Sequence, residues 1–583
     1  MLRRGLRSRP SYLLLSWVLL LTLAILAPTL RRGYVLTHDM VFTPRQSLLP
    51  DSLGVGSALP RAVPVDAVVS VLTTVVSGQV VEKAALLLTL FFAGWGAGVL
   101  VPSGSTLVRC LAATLYLWNP YVAERLFIGH WSLLVAYAAL PWLIRSLLSL
   151  RAGRSRAWAS IVPLLAVSAV TPGGGLISAL TSLSVLAWPG IPGRLRDTGR
   201  LVGVWVLVNA PWWLPGALHG ATGAGSAGGV DAFASRAELP LGTVGSLIGL
   251  GGIWDADVVP ASRGSVVALA AALLWPALAI AGWDWLRRGW GGAAAGLLAA
   301  AVLGTVLAAA GAVPGSSEVL RWAVVSLPGA GLLRDGQRLV APLALVLAVA
   351  APLGLARLVQ RLAEPAVRTV VLGGLLLLPI VVLPDLAWGG LGRLDPVHYP
   401  ADWRQVRSIL ANDPQGGDVV ALPWQPYRQF SWNGRRTVYD PAPRFMTREV
   451  VLDGSLAVGG LTVPTDDPRS ARVGALLSQH RVPDLRLLGV GWFLVEKGTP
   501  GVVDPALLQQ GVLVFDGPTI ALYRIGPATG GGWPRESWLV ASVDLIVLLT
   551  VAASVVLLAR FWLVRPSSRL GAAIVRKSGY GKP

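Results

Sequence analysis

Apolar runs of about 17–25 residues, each long enough to cross a bilayer, recur along almost the whole chain and leave few ways to fold it. They fall at 11–30, 81–101, 105–121, 131–150, 157–173, 174–190, 200–217, 264–285, 291–312, 338–357, 367–386 and 538–562. Hydrocarbon offers the backbone no hydrogen bonds, so such runs must close their own as helices. The runs predict a polytopic α-helical membrane protein of about 12 transmembrane helices. Composition agrees: 54% of the 583 residues are hydrophobic and 14% charged, against about 25% charged in a soluble domain.

The net charge of +19 would suit a nucleic-acid binder only if it were gathered on one face. Instead it lies in short clusters between apolar runs, so no nucleic-acid partner is expected. Cytoplasmic loops carry the excess Arg and Lys. With the N-terminus inside, Arg145/Arg151/Arg154/Arg156, Arg194/Arg196/Arg200, Arg287/Arg288 and Arg357/Arg361/Arg368 all fall at the cytoplasmic side, as does the tail from Arg560 to Lys582. Arg31 and Arg32 are a local exception. The expectation is a multi-pass protein of the cytoplasmic (inner) membrane with both termini in the cytoplasm. Arg3, Arg4, Arg7 and Arg9 precede a first apolar run without a clear small-x-small cleavage site, which reads as an uncleaved helix. Cys110, the only cysteine, lies inside an apolar run and excludes a disulfide framework or a Cys-based zinc site.

The remaining polar material sorts to the outer side, in loops 31–80, 122–130, 218–263 and 313–337 and in segment 387–537, and all five histidines fall there. Val65–Val76 is too short to span and reads as a helix lying in the interface. Loop 218–263 is rich in glycine (Gly220, Gly223, Gly225, Gly228, Gly229), which suits either a lid or plain disorder. Segment 387–537 mixes helix and strand signals. Helices are expected at Asp402–Ala411 and Arg469–His480, strands at Asp418–Leu422 and Trp492–Glu496, and a hairpin around Asp516-Gly517-Pro518-Thr519. The domain plan is a multi-span module over 1–386, an extracytoplasmic α/β domain over 387–537, a final helix over 538–563 and a basic tail over 564–583.

Three clusters carry chemistry. Thr37-His38-Asp39-Met40 sets an acid near the membrane surface, placed to act on a lipid headgroup; an ordinary loop acid is the plainer reading. The turn Asn119-Pro120-Tyr121-Val122-Ala123-Glu124-Arg125, continuing to His130, sets both charges and an imidazole between two spans. An aromatic belt explains its Trp and Tyr but not its ionisable residues, which at membrane depth tend to face a cavity or partner. Leu333-Arg334-Asp335-Gly336-Gln337-Arg338 offers forked guanidinium groups to a phosphate, or simply anchors a helix at the headgroups. No Walker loop, HExxH or Gly-x-Ser-x-Gly elbow stands in its proper context.

These features together resemble the GT-C superfamily of integral membrane glycosyltransferases, in particular actinobacterial members and the related YfhO-like membrane proteins. The resemblance rests on the acid of Thr37-His38-Asp39-Met40, the interfacial helix after it, the Asn119–Arg125 turn, and the late α/β domain with Leu487-Leu488-Gly489-Val490-Gly491-Trp492-Phe493-Leu494-Val495. It covers the layout of nearly the whole chain. It implies transfer of a sugar, arabinose or mannose, from a polyprenyl-phosphate donor to a cell-envelope glycan or lipid acceptor outside the membrane, with Asp39 as the essential acid. His38 before Asp39 and Met40 after it depart from members with paired acids. One carboxylate and one imidazole are a poor cage for a hard divalent cation, so a bound divalent cation stays only as the less favoured alternative and no cofactor is assigned.

On this reading Asp39 is the general base of an inverting transfer and Arg125, Arg334 and Arg338 hold the donor phosphate. His38, Glu124, His130 and Asp335 orient the substrates. Trp424, Tyr427, Arg428, Trp432 and Arg435 of the outer domain are expected to be exposed and to bind the acceptor, since aromatic faces and guanidinium groups together suit sugars; core packing is the alternative. The competing function class is a lipid-linked glycan flippase or a non-catalytic envelope scaffold, but no internal hydropathy repeat supports a transporter.

Overall fold

A computed structural model describes residues 12–57, 60–219, 227–528 and 533–563. The basic tail over 564–583 and Gly220, Gly223 and Gly225 lie outside the described residues. The helical module comprises α1 (Tyr12–Leu26), α2 (Val65–Val75), α3 (Gly78–Leu100), α4 (Thr106–Leu117), α5 (Pro120–Phe127), α6 (Trp131–Arg151), α7 (Trp158–Ser168) and α8 (Pro172–Ala187). It continues with α9 (Arg194–Leu218), α10 (Val266–Trp290), α11 (Gly292–Ala309), α12 (Ala341–Val359) and α13 (Pro365–Val382).

Among the described residues 9 helices are long and apolar enough to cross a membrane. The protein is a multi-pass membrane protein. The runs expected at 105–121, 157–173 and 174–190 form the shorter helices α4, α7 and α8, of 12, 11 and 16 residues. At 1.5 Å per residue these reach about 17–24 Å, less than the hydrocarbon thickness of about 30 Å. Two of the shortenings have a local cause. Asn119 caps a fresh helix after α4 by accepting the Val122 N–H at 3.0 Å, with Pro120 at its first position. Pro172 likewise starts α8 and separates it from α7.

At the centre of the module α12 packs against α10, with backbones close enough to require glycine on both sides. A Cβ on Gly354 would lie 1.9 Å from the Leu278 carbonyl oxygen, and one on Gly282 would lie 2.1 Å from that of Ala350. Small residues allow such approach where lipid supplies no hydrophobic drive between helices.

The segment after α13 builds a mixed sheet. Helix α14 (Ala401–Asn412) precedes β1 (Asp418–Leu422), β2 (Tyr427–Arg428), β3 (Val438–Tyr439), β4 (Val450–Val451), β5 (Leu456–Val458) and β6 (Leu461–Val463). Then come α15 (Pro468–Ser478), β7 (Val490–Glu496), β8 (Val512–Asp516), β9 (Ile520–Arg524) and the last helix, α16 (Ser537–Leu563). The main sheet has the order β4-β1-β7-β9-β8. Strands β4, β1 and β7 run parallel, and β7, β9 and β8 are antiparallel neighbours. Central β1 is buried at Val419, Val420 and Ala421, as its unbroken apolar run requires. The helices and strands expected for this segment occur within two residues of their expected bounds. The β2–β3 and β5–β6 pairs, each two or three residues per strand, are too short to leave a period in the sequence.

This domain is tied onto the first loop of the helical module. Tyr399 donates its hydroxyl to the Phe42 carbonyl at 2.9 Å. Arg444 forks onto Asp66 at the start of α2, its Nε 3.1 Å from both carboxylate oxygens.

Candidate active site

The loop carrying Asp39 is stitched in place from both sides. His38 donates its N–H to the Thr437 carbonyl at 2.7 Å and its carbonyl accepts from the Tyr439 N–H at 2.7 Å, a single parallel bridge onto β3. On the other side the Asp39 N–H donates to the Ile128 carbonyl at 3.1 Å. His38 takes a left-handed backbone, φ 43°, a strain that non-glycine residues carry mostly at functional sites. Gly129 (φ +83°) lies against this loop so closely that a Cβ there would sit 2.2 Å from the Met40 nitrogen.

The Asp39 carboxylate is gripped at both oxygens. Tyr427 of β2 donates its hydroxyl to Oδ1 at 2.7 Å, and His130 Nε2 lies 3.0 Å from Oδ2. Burial raises the Asp39 pKa; the hydrogen bond from His130 is the largest of the effects that together bring the carboxyl below its ordinary range, and the Tyr427 hydroxyl adds to it. The group still has 41% of its side-chain surface open, so a hydroxyl brought there can reach it.

Behind His130 lies a buried network. Arg125 Nη1 is 2.8 Å from His130 Nδ1. The same guanidinium forks onto Asp335 at 2.7 and 2.8 Å and donates from Nε to Gln337 Oε1 at 2.9 Å. Gln337 in turn donates to Glu124 Oε2 at 3.2 Å. Burial, reinforced by the nearby charge of Glu238, pushes the Glu124 carboxyl far up. Glu238 is itself paired with Arg263 at 2.9 Å. Burial acts on Asp335 in the same sense, but the charges of Arg125 and Arg338 overcome it and hold that carboxyl far down.

No family model matches the chain, and no curated protein matches it. Solved structures do. The arabinofuranosyltransferase AftD from Mycobacteria superposes with a TM-score of 0.52 at 17% identity, covering 90% of this chain and 40% of that one. A mutant form of it gives 0.53 at 15% identity, covering 89% and 42%. The fold is GT-C-like. ArnT from Cupriavidus metallidurans in the apo state aligns with a TM-score of 0.42 at 12% identity, over 88% of this chain and 99% of its own. The chain spans about 40% of the AftD chain.

Within this GT-C-like module the expected site residues part into two groups. Asp39 and His130 come together with Tyr427, His38 precedes Asp39 in the same loop, and Arg338 reaches the network behind them at Asp335, 3.7 Å away. Arg334 carries a buried Nη1 without a hydrogen bond, 3.8 Å separates its Nη2 from Asp466, and its guanidinium lies over Phe233. Arg338 holds the Asp335 carbonyl at 2.7 Å. Arg125 and Glu124 correct the expectation. Both are fully buried: the N–H groups of Arg125 are taken up by Asp335, Gln337 and His130 rather than left open to a phosphate, and Glu124 accepts from Gln337.

The acceptor candidates also divide. Arg428 is not exposed: it is completely buried, paired with Asp440 at 2.8 Å and with Glu496, and it donates to the carbonyls of Pro423 and Gln425. Trp432 is half-buried and stacks on Phe430 at 4.8 Å. Trp424 packs against the domain's second core, and Arg435 alone of the five is exposed. Tyr427 points into the site at Asp39 rather than at an outer surface. Sequence reasoning passed over Asp255, whose Oδ2 lies 3.9 Å from His38 Nε2, and Arg61, which pairs with Asp466 at 2.5 Å. Nothing local marks either, because their partners lie far away along the chain.

Proposed function

We propose that this chain is a membrane glycosyltransferase that moves a sugar, arabinose or mannose, from a polyprenyl-phosphate donor to a hydroxyl of an envelope glycan or glycolipid at the outer face of the cytoplasmic membrane. The observation that carries this is Asp39: a carboxylate that accepts from the Tyr427 hydroxyl, lies 3.0 Å from His130 Nε2 and keeps 41% of its side-chain surface open. In this reading Asp39 takes the proton of the acceptor hydroxyl as that oxygen attacks the anomeric carbon. The bond from that carbon to the phosphate oxygen breaks, its electron pair leaves with the polyprenyl phosphate, and the anomeric centre inverts. Arg334 and Arg338, with Arg61 near them, stabilise the charge that grows on the departing phosphate. Arg125 takes no part in this. His38 and Asp255 face each other across a gap that suits a sugar hydroxyl, and Arg435 is the exposed outer-domain candidate for the acceptor.

A labelled polyprenyl-phosphate sugar given to membranes containing the protein should yield both labelled acceptor and free polyprenyl phosphate. A flippase or scaffold would release none. Asp39→Asn should lower the rate by about 10²–10⁴-fold, the usual contribution of a positioned base. A folded Asp39→Asn variant, present at normal level and fully active, would remove Asp39 from this role.

A further inference from the structure

The Arg125 guanidinium has five N–H groups and no acceptor. All five are assigned by their neighbours: Nε to Gln337 Oε1, Nη1 to Asp335 Oδ2 and His130 Nδ1, and Nη2 to Asp335 Oδ1 and Gln337 Oε1. The fork onto Asp335 fixes the plane of the guanidinium, so the hydrogen aimed at His130 cannot turn away. A group that only donates must meet an acceptor, and Nδ1 can accept only without a proton of its own.

We infer that Arg125 locks His130 as the neutral tautomer protonated at Nε2, making His130 a positioning residue that donates to Asp39 Oδ2 and cannot relay its proton. A doubly protonated ring would set an N–H against the Arg125 N–H at 2.8 Å, and the other tautomer would do the same while leaving Nε2 and the Asp39 carboxylate as two facing acceptors at 3.0 Å. With Nε2 already protonated and the Nδ1 lone pair engaged, His130 has no place for a second proton. A proton taken up by Asp39 therefore stays there until it leaves to water from the open side of the carboxylate. This last step rests on the proposed role of Asp39 as base; the tautomer does not.

The tautomer can be read without any substrate. Solid-state ¹⁵N spectra of the full-length protein labelled at its five histidines, reconstituted in bilayers near neutral pH, should contain one neutral imidazole protonated at Nε2 whose signal disappears in His130→Gln. Should that variant fail to fold, a chain with the other four histidines replaced by Gln leaves His130 as the only imidazole to read. A His130 ring protonated at Nδ1, or at both nitrogens, overturns the inference. Activity gives the second arm. Gln keeps an N–H donor near the position of Nε2 but cannot shuttle a proton, so His130→Leu, lacking the donor, should lose kcat about 10-fold or more relative to His130→Gln. A loss of kcat in folded His130→Gln as large as in His130→Leu would show that His130 does carry the proton. An inactive wild type with the expected tautomer would count against the proposed reaction and leave the lock standing.

Discussion

Tyr427 and Asp39 are 388 residues apart in the chain, yet the tyrosine hydroxyl sits 2.7 Å from the aspartate carboxylate. The bond joins the α/β domain to the helical module at the candidate base. Tyr427→Phe removes one of the two donors that hold Asp39 ionised, so the Asp39 pKa should rise. Activity that depends on the carboxylate is lost as pH falls through that pKa, and the acidic limb of kcat/KM should move to higher pH in the variant. An unmoved limb would separate Tyr427 from the titration. The stability change follows the same sign: the contribution of the depressed carboxyl is present above its unfolded value of 3.8 and lost below its folded one.

Arg125 and Asp335 form a buried pair whose members depend on each other. Arg125→Met leaves the Asp335 carboxylate without its fork and should cost about 3–5 kcal/mol, read as a lower midpoint of thermal unfolding in detergent. Arg125→Met combined with Asp335→Leu should recover part of that loss, because no unpaired charge is left. Arg334→Gln and Arg338→Gln should behave differently, raising the KM for the donor with a much smaller change in stability. Donor KM unaffected by both would remove these residues from the phosphate site.

Gly129 should tolerate no side chain. Gly129→Ala places a methyl 2.2 Å from the Met40 nitrogen at a residue with φ +83°, so the Asp39 loop must move away from the turn after α5. The strained backbone alone is worth about 1–3 kcal/mol. The variant should lose activity and stability together, and a fully active Gly129→Ala would show that the loop is free to shift.

Glu449 should make the contact between domain and first loop sensitive to base. It accepts the Asp51 N–H at 3.1 Å, and burial, helped by the charges of Asp51 and Asp418, raises its pKa from 4.5 to about 8. Between those values the folded protein keeps a proton that the unfolded chain has lost, so stability falls as pH rises across the window. Glu449→Gln should flatten that slope and stabilise the protein at its alkaline end, as measured by unfolding midpoints at a series of pH values.

Much of the site was legible in local sequence. Asp39, His38 and His130 stood out because ionisable residues near a membrane surface need a reason, whereas the helix that Asn119 caps was read as a turn and came only from the structure. The roles were less legible than the residues. Arg125 and Arg428 have the chemistry of anion-binding side chains, and from sequence both read as available. In the fold each meets carboxylates on other elements, at Asp335 for the first and at Asp440 and Glu496 for the second, and is removed from solvent.

What the sequence by itself determined is the class of the protein and the bounds of most of its elements. Apolar length and the turn residues act within a few positions of the chain, and a membrane span or a β1-type strand follows from them with no partner specified. Which charges are consumed and which stay open was decided only by tertiary structure. A buried guanidinium is stable where carboxylates and carbonyls surround it, and for Arg125 those groups lie 210 and 212 residues away. The same distance in sequence separates a phosphate-binding arginine in appearance from the one that, in this fold, holds an imidazole against Asp39.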